Sequence, residues 1–454
     1  MNLVHKLGIA LSAGLLCSIP AAVAASPQES APSLAWENRG QSVPFGGALA
    51  IAIEGNIVVA TGNVCSDESV FSCDLFVRAH DAKSGRTLWE DRQGPGAFDR
   101  SQGVAIDGDR VFASGWYQGP PVNGAGSFDF VVRAYDLKRG TFLWQQRIDR
   151  GRVDFGEAVA AKDGRVFAVG RVRGPTGSSD FTTFAFDAKT GTKLWESVID
   201  IRLVDVAFNV VVDGSRVFST GPIRNHGSVL LVAQDASTGA ILWRTEMAGG
   251  QMAFTQQGRL IAQGRTLYVA GGIIAANGNE DPMIWTFDAV TGAPGWSRQI
   301  DTGGNGEAQS LVVSEDRVIV GSTDGCDATF LACAFSVRAL SVRSGDVLWL
   351  DRFQPVPGGD GAVFAVVAKS GLVFAGGTVS DGDGLYRWTL RTLDASSGKV
   401  VASEFIPSNG DFFNAVIGLA VKGNRLYAAG ALGTSPTSDD FTVRGYRLAG
   451  NDDD

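Results

Sequence analysis

The sequence predicts an all-β fold: an eight-bladed β-propeller of four-stranded blades, closed by pairing an N-terminal outer strand with three C-terminal strands. Three observations carry this prediction. A turn followed by a tryptophan recurs about every 53 residues, and an aliphatic strand–turn–strand unit occurs eight times. The two ends of the chain also hold complementary fractions of one unit.

The turn–tryptophan marker runs from Asp81 to Trp89, Asp136 to Trp144, Asp187 to Trp195, Asp235 to Trp243 and Asp288 to Trp296. Ser341 to Trp349 continues it with the aspartate replaced, and Asp394 to Ala402 with the tryptophan replaced. Trp36 stands 53 residues before Trp89 with no turn sequence ahead of it. The second marker starts at Ile51, Val104, Val159, Val210, Leu260, Leu311, Val366 and Leu419. All eight first positions are Val, Ile or Leu, as a strand buried on both faces requires. Each unit divides into an inner strand A, then B, C and an outer D. Asp-Gly-type turns join A to B, and Asp-x-x-Thr/Ser-Gly turns join C to D. Four strands in about 50 residues is the pattern of a propeller blade. No stretch keeps a 3.6-residue apolar period, so a helical solenoid is excluded.

The ends predict how the ring closes. The last copy, Asp440–Arg447, stops after strand C, whereas residues 34–40 around Trp36 form a D strand without a blade. Pairing them completes the eighth blade and leaves no open ring. Residues 26–450 are therefore expected to form a single propeller, followed by an acidic tail at 451–454. Residues 1–25 read as an export signal: Lys6, an apolar run from Leu7 to Ile19, then Ala22-Val23-Ala24, or Val23-Ala24-Ala25 one residue on, before the cleavage point. Leu16 ahead of Cys17 does not suit a lipobox, so the expectation is an exported chain, periplasmic or secreted and bacterial, that is not a lipoprotein and has no membrane span. In an oxidising compartment the two local pairs Cys65/Cys73 and Cys326/Cys333 read as disulfides stapling the same loop in two copies.

Composition narrows the function classes. The chain has 48 Asp+Glu against 39 Lys+Arg, a formal charge of −9, which argues against a nucleic-acid partner. Hydrophobic residues make up 44%, enough for a packed core rather than disorder. No Walker A, HExxH, GxSxG or GxGxxG motif is present.

Ala79-x-Asp81-x-x-Ser84-Gly85-x-x-x-Trp89 resembles the tryptophan-docking motif of pyrroloquinoline-quinone-type eight-bladed propellers, and 134–144, 185–195 and 233–243 match it comparably. The copies at 286–296, 339–349 and 392–402 are degenerate. The resemblance implies that Trp36, Trp89, Trp144, Trp195, Trp243, Trp296 and Trp349 pack between blades. That family includes quinone-dependent alcohol and sugar dehydrogenases, an outer-membrane assembly lipoprotein, and exported propellers without an assigned reaction. The adjacent cysteine pair and the Cys-x-x-Cys-His haem motif of the dehydrogenases are absent here.

Candidate site residues follow from departures between copies. The B–C loops differ greatly in sequence and the C–D turns hardly at all, so recognition is expected on the D–A/B–C face. Glu157 and Glu307 stand at the entrance to inner strands, in Phe155-Gly-Glu157-Ala and Asn305-Gly-Glu307-Ala, where they suit a cation at the channel mouth or an ion pair with a neighbour such as Arg100. Arg78, Arg133, Arg338, Arg391 and Arg444 share one strand C slot, with Asp74, Asp129, Asp180, Asp281 and Asp440 expected as their partners or as turn caps. His80 replaces an aromatic residue, His226 lies in a polar loop, and Asp381-Gly-Asp383 holds only part of a Ca²⁺ loop. No catalytic residue emerges. The expected function is a scaffold that binds a ligand or an envelope or extracellular protein partner through the D–A/B–C face. The alternatives are a small haem-free dehydrogenase using PQQ and Ca²⁺, and an accessory of outer-membrane assembly.

Overall fold

The computed structural model describes residues 31–40, 43–66, 73–94, 98–122, 125–151, 153–174, 177–201, 203–223, 227–248, 259–328, 332–380, 385–407, 414–435 and 438–449. The expected export signal, the acidic tail, His226, Asp381 and Asp383 lie outside the described residues.

Alternating short aliphatic runs and glycine-bearing turns fold into eight four-stranded antiparallel sheets. Blade 1 is β2 (Val43–Glu54), β3 (Ile57–Cys65), β4 (Cys73–Asp81) and β5 (Thr87–Gln93), ordered from the axis outward. The inner strands of blades 2 to 7 are β6 (Arg100–Asp107), β10 (Phe155–Lys162), β14 (Asn209–Asp213), β18 (Leu260–Gln263), β22 (Asn305–Ser314) and β26 (Asp360–Lys369). Blade 8 is β30 (Ala415–Lys422), β31 (Arg425–Ser435), β32 (Ser438–Arg447) and then β1 (Ser33–Gly40), which pairs antiparallel with β32. The ring closes as the ends of the sequence predict.

The recurring glycine of strand B has a steric cause. Most inner strands carry a β-bulge near their start, at Leu49, Gln102, Glu157, Gln309, Phe364 and Ile417. The kink pushes an inner-strand carbonyl toward strand B, and a Cβ on Gly115 would lie 1.9 Å from the Arg100 oxygen. Only glycine admits that approach. The bulge adds one side chain at the inner edge of the blade, and Leu49, Gln102, Glu157 and Gln309 are only 4–7% exposed there. Beyond it the inner strands become half-exposed, as at 105–107, 160–162 and 312–314. The inner strands are therefore most deeply buried near the D–A/B–C face and more exposed toward the A–B turns.

Seven tryptophans join neighbouring blades. Trp36, Trp89, Trp144, Trp195, Trp243, Trp296 and Trp349 each donate Nε1 to a carbonyl in the next blade's C–D turn, at 2.8–3.4 Å. Each ring lies flat on that turn's glycine. At Gly140, with φ of 69°, a Cβ would come within 2.4 Å of Trp89. The glycine is thus fixed twice, by its left-handed backbone and by the ring above it. Only the junction of blades 7 and 8, with Ala402 in the slot, lacks this dock.

Three of the five strand C arginines form ion pairs across blades, whereas Arg78 pairs with Glu90 and Arg338 with Asp324 inside their own blades. Arg133 reaches Asp91 of blade 1, Arg391 reaches Asp351 of blade 6, and Arg444 reaches Glu404 of blade 7, each at 2.9 Å. The aspartates expected as their partners bond elsewhere: Asp74 to Arg92, Asp129 to Arg147 and Asp281 to Gln299. The reason is distance, since an aspartate at the start of strand C lies four residues, about 13 Å, from the arginine slot. His80 fills its aromatic slot as expected, fully buried with its ring 5.8 Å from Trp36.

Candidate functional site at the channel mouth

The D–A/B–C face is built from loops that vary in sequence but share an anchoring device. A buried polar residue just ahead of the inner strand accepts a backbone N–H from the end of strand B. Asp99 Oδ1 takes Gln118 N at 2.6 Å, Asp154 Oδ1 takes Arg173 N at 2.7 Å, and Asn414 Oδ1 takes Gly433 N at 2.6 Å. The backbone N–H of Asp99, Asp154 and Asp205 in turn donates to the start of strand C in the preceding blade, at 2.8–2.9 Å. One short residue therefore clamps two blades and a loop. The device has an electrostatic cost: burial, with Asp74 and Asp129 nearby, pushes the Asp99 carboxyl up to about 7. Two disulfides reinforce the same face. Cys65–Cys73 lies directly across the strand B–strand C pair of blade 1, and Cys326–Cys333 occupies the corresponding place in blade 6.

Two charged clusters sit beneath these loops, and they separate residues that the sequence aligns. Glu157 is the bulged residue of β10, whereas Glu307 precedes its bulge at Gln309 by two positions. The equivalent of Glu307 in blade 2 is thus Arg100. Glu307 is locked: Arg259 Nη1 lies 2.5 Å from its Oε1, and Gln309 Nε2 donates to its Oε2 at 3.1 Å. Glu280 joins this cluster 3% exposed, its Oε1 buried with no hydrogen-bond partner. Burial and the neighbouring Glu307 push Glu280 up to about 8, so the cluster holds a proton at neutral pH.

The second cluster is less closed. Glu157 is flanked by Arg171 on β11 (Arg165–Arg173), in its own sheet, and by Arg100 on β6, and no ion pair forms within contact distance of either. Burial pushes Glu157 up to about 7 against the pull of both guanidiniums, and burial draws Arg100 down to about 10. Among the sequence candidates, the structure brings Arg100 and Glu157 together and places Glu307 with different partners. Sequence reasoning missed Arg171, Gln102, Arg259, Gln309 and Glu280. The available signal was position: each stands where an inner strand begins or where strands B and C meet the loop face.

A family model described as outer membrane protein assembly factor BamB, built on PQQ-type repeats, matches residues 73–198, 128–272, 179–350 and 278–438. The chain belongs to this family. As a PQQ-type propeller it is similar in fold to quinohemoprotein alcohol dehydrogenase ADHIIG from Pseudomonas putida HK5, with a TM-score of 0.57 and 12% identity over 93% of this chain and 77% of that one. The Comamonas testosteroni quinohemoprotein alcohol dehydrogenase gives 0.57 and 13%, again over 93% and 77%. A europium-containing methanol dehydrogenase gives 0.55 and 11%, over 92% and 93%. At these identities the likeness is one of fold. A 1-butanol dehydrogenase (quinone) from Thauera butanivorans is 30% identical over 131 residues, 26% of this chain and 20% of the enzyme, so the match spans about a fifth of that relative.

The donor set does not suit the Ca²⁺ that such relatives suggest. Glu307 is already held by Arg259, and Glu157 lies between two guanidiniums that would repel a divalent cation. Among the described residues, no three His, Cys, Asp or Glu side chains form a group able to hold a metal ion.

Proposed function

We propose that this PQQ-type propeller is an exported binding scaffold whose recognition surface is the D–A/B–C face, including the channel mouth. One observation carries the reading: loops that differ from blade to blade rest on a base fixed by repeated side-chain clamps and two disulfides. Rigid bases with variable loops lower the ordering cost of binding while leaving specificity to the loops. Among the described residues the longest B–C strand pair is that of β7 (Arg110–Val122) and β8 (Ala125–Asp136), whose pairing continues out to Val122 and Ala125. The family's link to outer-membrane assembly makes an envelope protein the first partner class to test, with a small ligand at the mouth as the second.

A quinone-dependent dehydrogenase is the competing reading, favoured by the local identity to the butanol enzyme. Titration of the purified chain with pyrroloquinoline quinone, with and without Ca²⁺, followed by dye reduction over alcohols and sugars, separates the two. The scaffold reading expects no Ca²⁺-dependent turnover. Turnover on any alcohol or sugar would sink it.

A further inference from the structure

On the turn face a carboxylate of one blade closes the junction with the next between blades 2 and 3. Asp107, the last residue of β6, accepts the backbone N–H of Gly164 in the A–B turn of blade 3 at 2.9 Å. One junction further on, the same two positions hold Lys162, the last residue of β10, and Ser215. A lysine has no acceptor to offer. The Ser215 N–H and hydroxyl are therefore left without a partner among the described residues. A cavity of about 90 Å³ lies at this junction, lined by Lys162 and Arg165 from blade 3 and Ser215 and Ser237 from blade 4, with an apolar side of Phe167 and Val212. On the same measure one water needs about 10–15 Å³, so the space admits an ion of several heavy atoms.

The cations at this cavity are loosely held. Lys162 Nζ stands 4.0 Å from Asp213 Oδ1 in a half-exposed pair, and the Arg165 side chain has no hydrogen-bond or ion-pair partner among the described residues. The Asp235 carboxylate is taken up inside its own turn by Ser237 and Thr238. Asp163, exposed, is the one carboxylate among the described residues that line the space. Every lysine after Lys6 stands in or at the edge of an A–B or C–D turn, so this side of an acidic chain concentrates cations. At Asp107 a carboxylate serves a single N–H. Here an ammonium, a guanidinium fork and the donors of one serine border one space, which suits an anion with three acceptor oxygens. We propose that this inter-blade cavity binds a phosphate monoester, whose terminal oxygens accept from Lys162, Arg165 and Ser215. The phosphoryl group belongs either to a soluble ester or to a lipid headgroup. The site lies on the side opposite the D–A/B–C face and does not depend on what that face recognises.

The test is calorimetric titration of the full chain with glycerol phosphate, and with glycerol as its uncharged counterpart. Wild type is expected to bind the ester saturably, with a Kd of about 1 mM or tighter, and glycerol not at all. Lys162→Asp reproduces the arrangement of the preceding junction, where the chain supplies its own carboxylate, so it is expected to fold and to bind at least about tenfold more weakly. Arg165→Gln is expected to weaken binding by about tenfold. Asp163→Asn removes the one lining carboxylate and is expected to tighten binding by about threefold, a gain that a merely structural role would not produce. Sedimentation with phosphatidic acid vesicles, against phosphatidylcholine vesicles, separates the two sources. Sedimentation that Lys162→Asp abolishes assigns the site to a lipid headgroup, and soluble binding alone assigns it to a free ester. Absence of binding to both ester and vesicles, equal binding of glycerol, or unchanged binding in Lys162→Asp would each overturn the assignment. The wild-type and Asp163→Asn arms suffice if Lys162→Asp does not fold.

Discussion

The two faces of the ring treat polar groups in opposite ways. On the C–D turn face each aspartate closes its own turn: Asp136 Oδ1 accepts from Lys138 N and Arg139 N at 3.0 and 2.7 Å, and Asp187 does the same with Lys189 and Thr190. Such bonds favour the ionised form, and the neighbouring hydroxyls of Ser237 and Thr238 hold the Asp235 carboxyl down at about 2. The docked tryptophans have their N–H satisfied as well. On the loop face burial lifts Asp99 and Glu157 to about 7, and buried atoms of Asp99, Arg100 and Trp116 lack partners. The difference teaches where selection for the ring stops. The repeated turn aspartates and docked tryptophans are satisfied within the chain, whereas on the loop face satisfaction differs from cluster to cluster: Glu307 is paired with Arg259 and Gln309, and Asp99 Oδ2 and Trp116 Nε1 have no partner.

The sharpest way to break this contrast is at a dock. Trp89→Ala removes a nearly buried ring and the 2.8 Å bond to Leu137, and is expected to cost about 3–5 kcal/mol. The midpoint of urea unfolding measures it. The ring tolerates one undocked junction, at Ala402, so the variant is expected to fold. A loss below about 1 kcal/mol would show that the turn face is not what holds neighbouring blades together.

The staples of the loop face rank next. Cys65 and Cys73 are separated by 8 residues, a loop short enough that removing the cross-link with Cys65→Ser/Cys73→Ser is expected to cost about 2–3 kcal/mol. The same unfolding experiment reads it. A smaller contribution than that of Trp89 supports the division into a face that builds the ring and a face that only fixes its loops; a larger one reverses it.

Replacing one clamp sharpens the comparison electrostatically. Asp99→Asn keeps the oxygen that accepts Gln118 N but removes the charge. The Asp99 carboxyl titrates near 7 in the folded chain and near 3.8 when unfolded, so the stability tied to it is complete below 3.8 and is lost as pH rises to 7. The variant is therefore expected to melt higher than wild type at pH 8 and to lose that advantage by pH 4. An equal difference at both pH values would mean that charge is not the source.

The ring was legible in the sequence because its parts repeat. Trp89, Gly140 and the aliphatic start of each inner strand recur in register, and the missing D strand after Arg447 predicts the pairing of β1 with β32 that the structure contains. The cysteine pairs were legible for the same reason. The channel mouth was not, because its residues are exceptions to the repeat. Glu157 and Glu307 resemble each other locally, yet a bulge of one residue sends them to different slots, and a bulge leaves no mark in composition. Arg171 meets Glu157 only through the pairing of β10 with β11, and Arg100 and Arg259 become neighbours of those carboxylates only through the closing of one blade on the next.

His80 is the exception on the turn face and the finest probe of the contrast. It stands where other blades place Tyr135, Phe186 or Tyr446, fully buried beside Trp36 at the seam where the ring closes, and neither ring nitrogen has a hydrogen-bond partner. Burial, aided by the charge of Arg78, draws its pKa down to about 3 from an ordinary value of 6.5. The folded chain therefore keeps it neutral, while the unfolded chain takes up a proton below 6.5. Stability tied to this residue is intact above pH 6.5 and falls steadily as pH drops toward 3. His80→Phe is expected to change little at pH 7.5 and to narrow the drop in melting temperature between pH 7.5 and pH 4.5. Since β1 is held at this seam, the wild-type loss on acidification is expected first as hydrogen exchange in residues 33–40, ahead of the other outer strands. Exchange that spreads evenly over all eight blades would show that the closure seam is no weaker than any other junction.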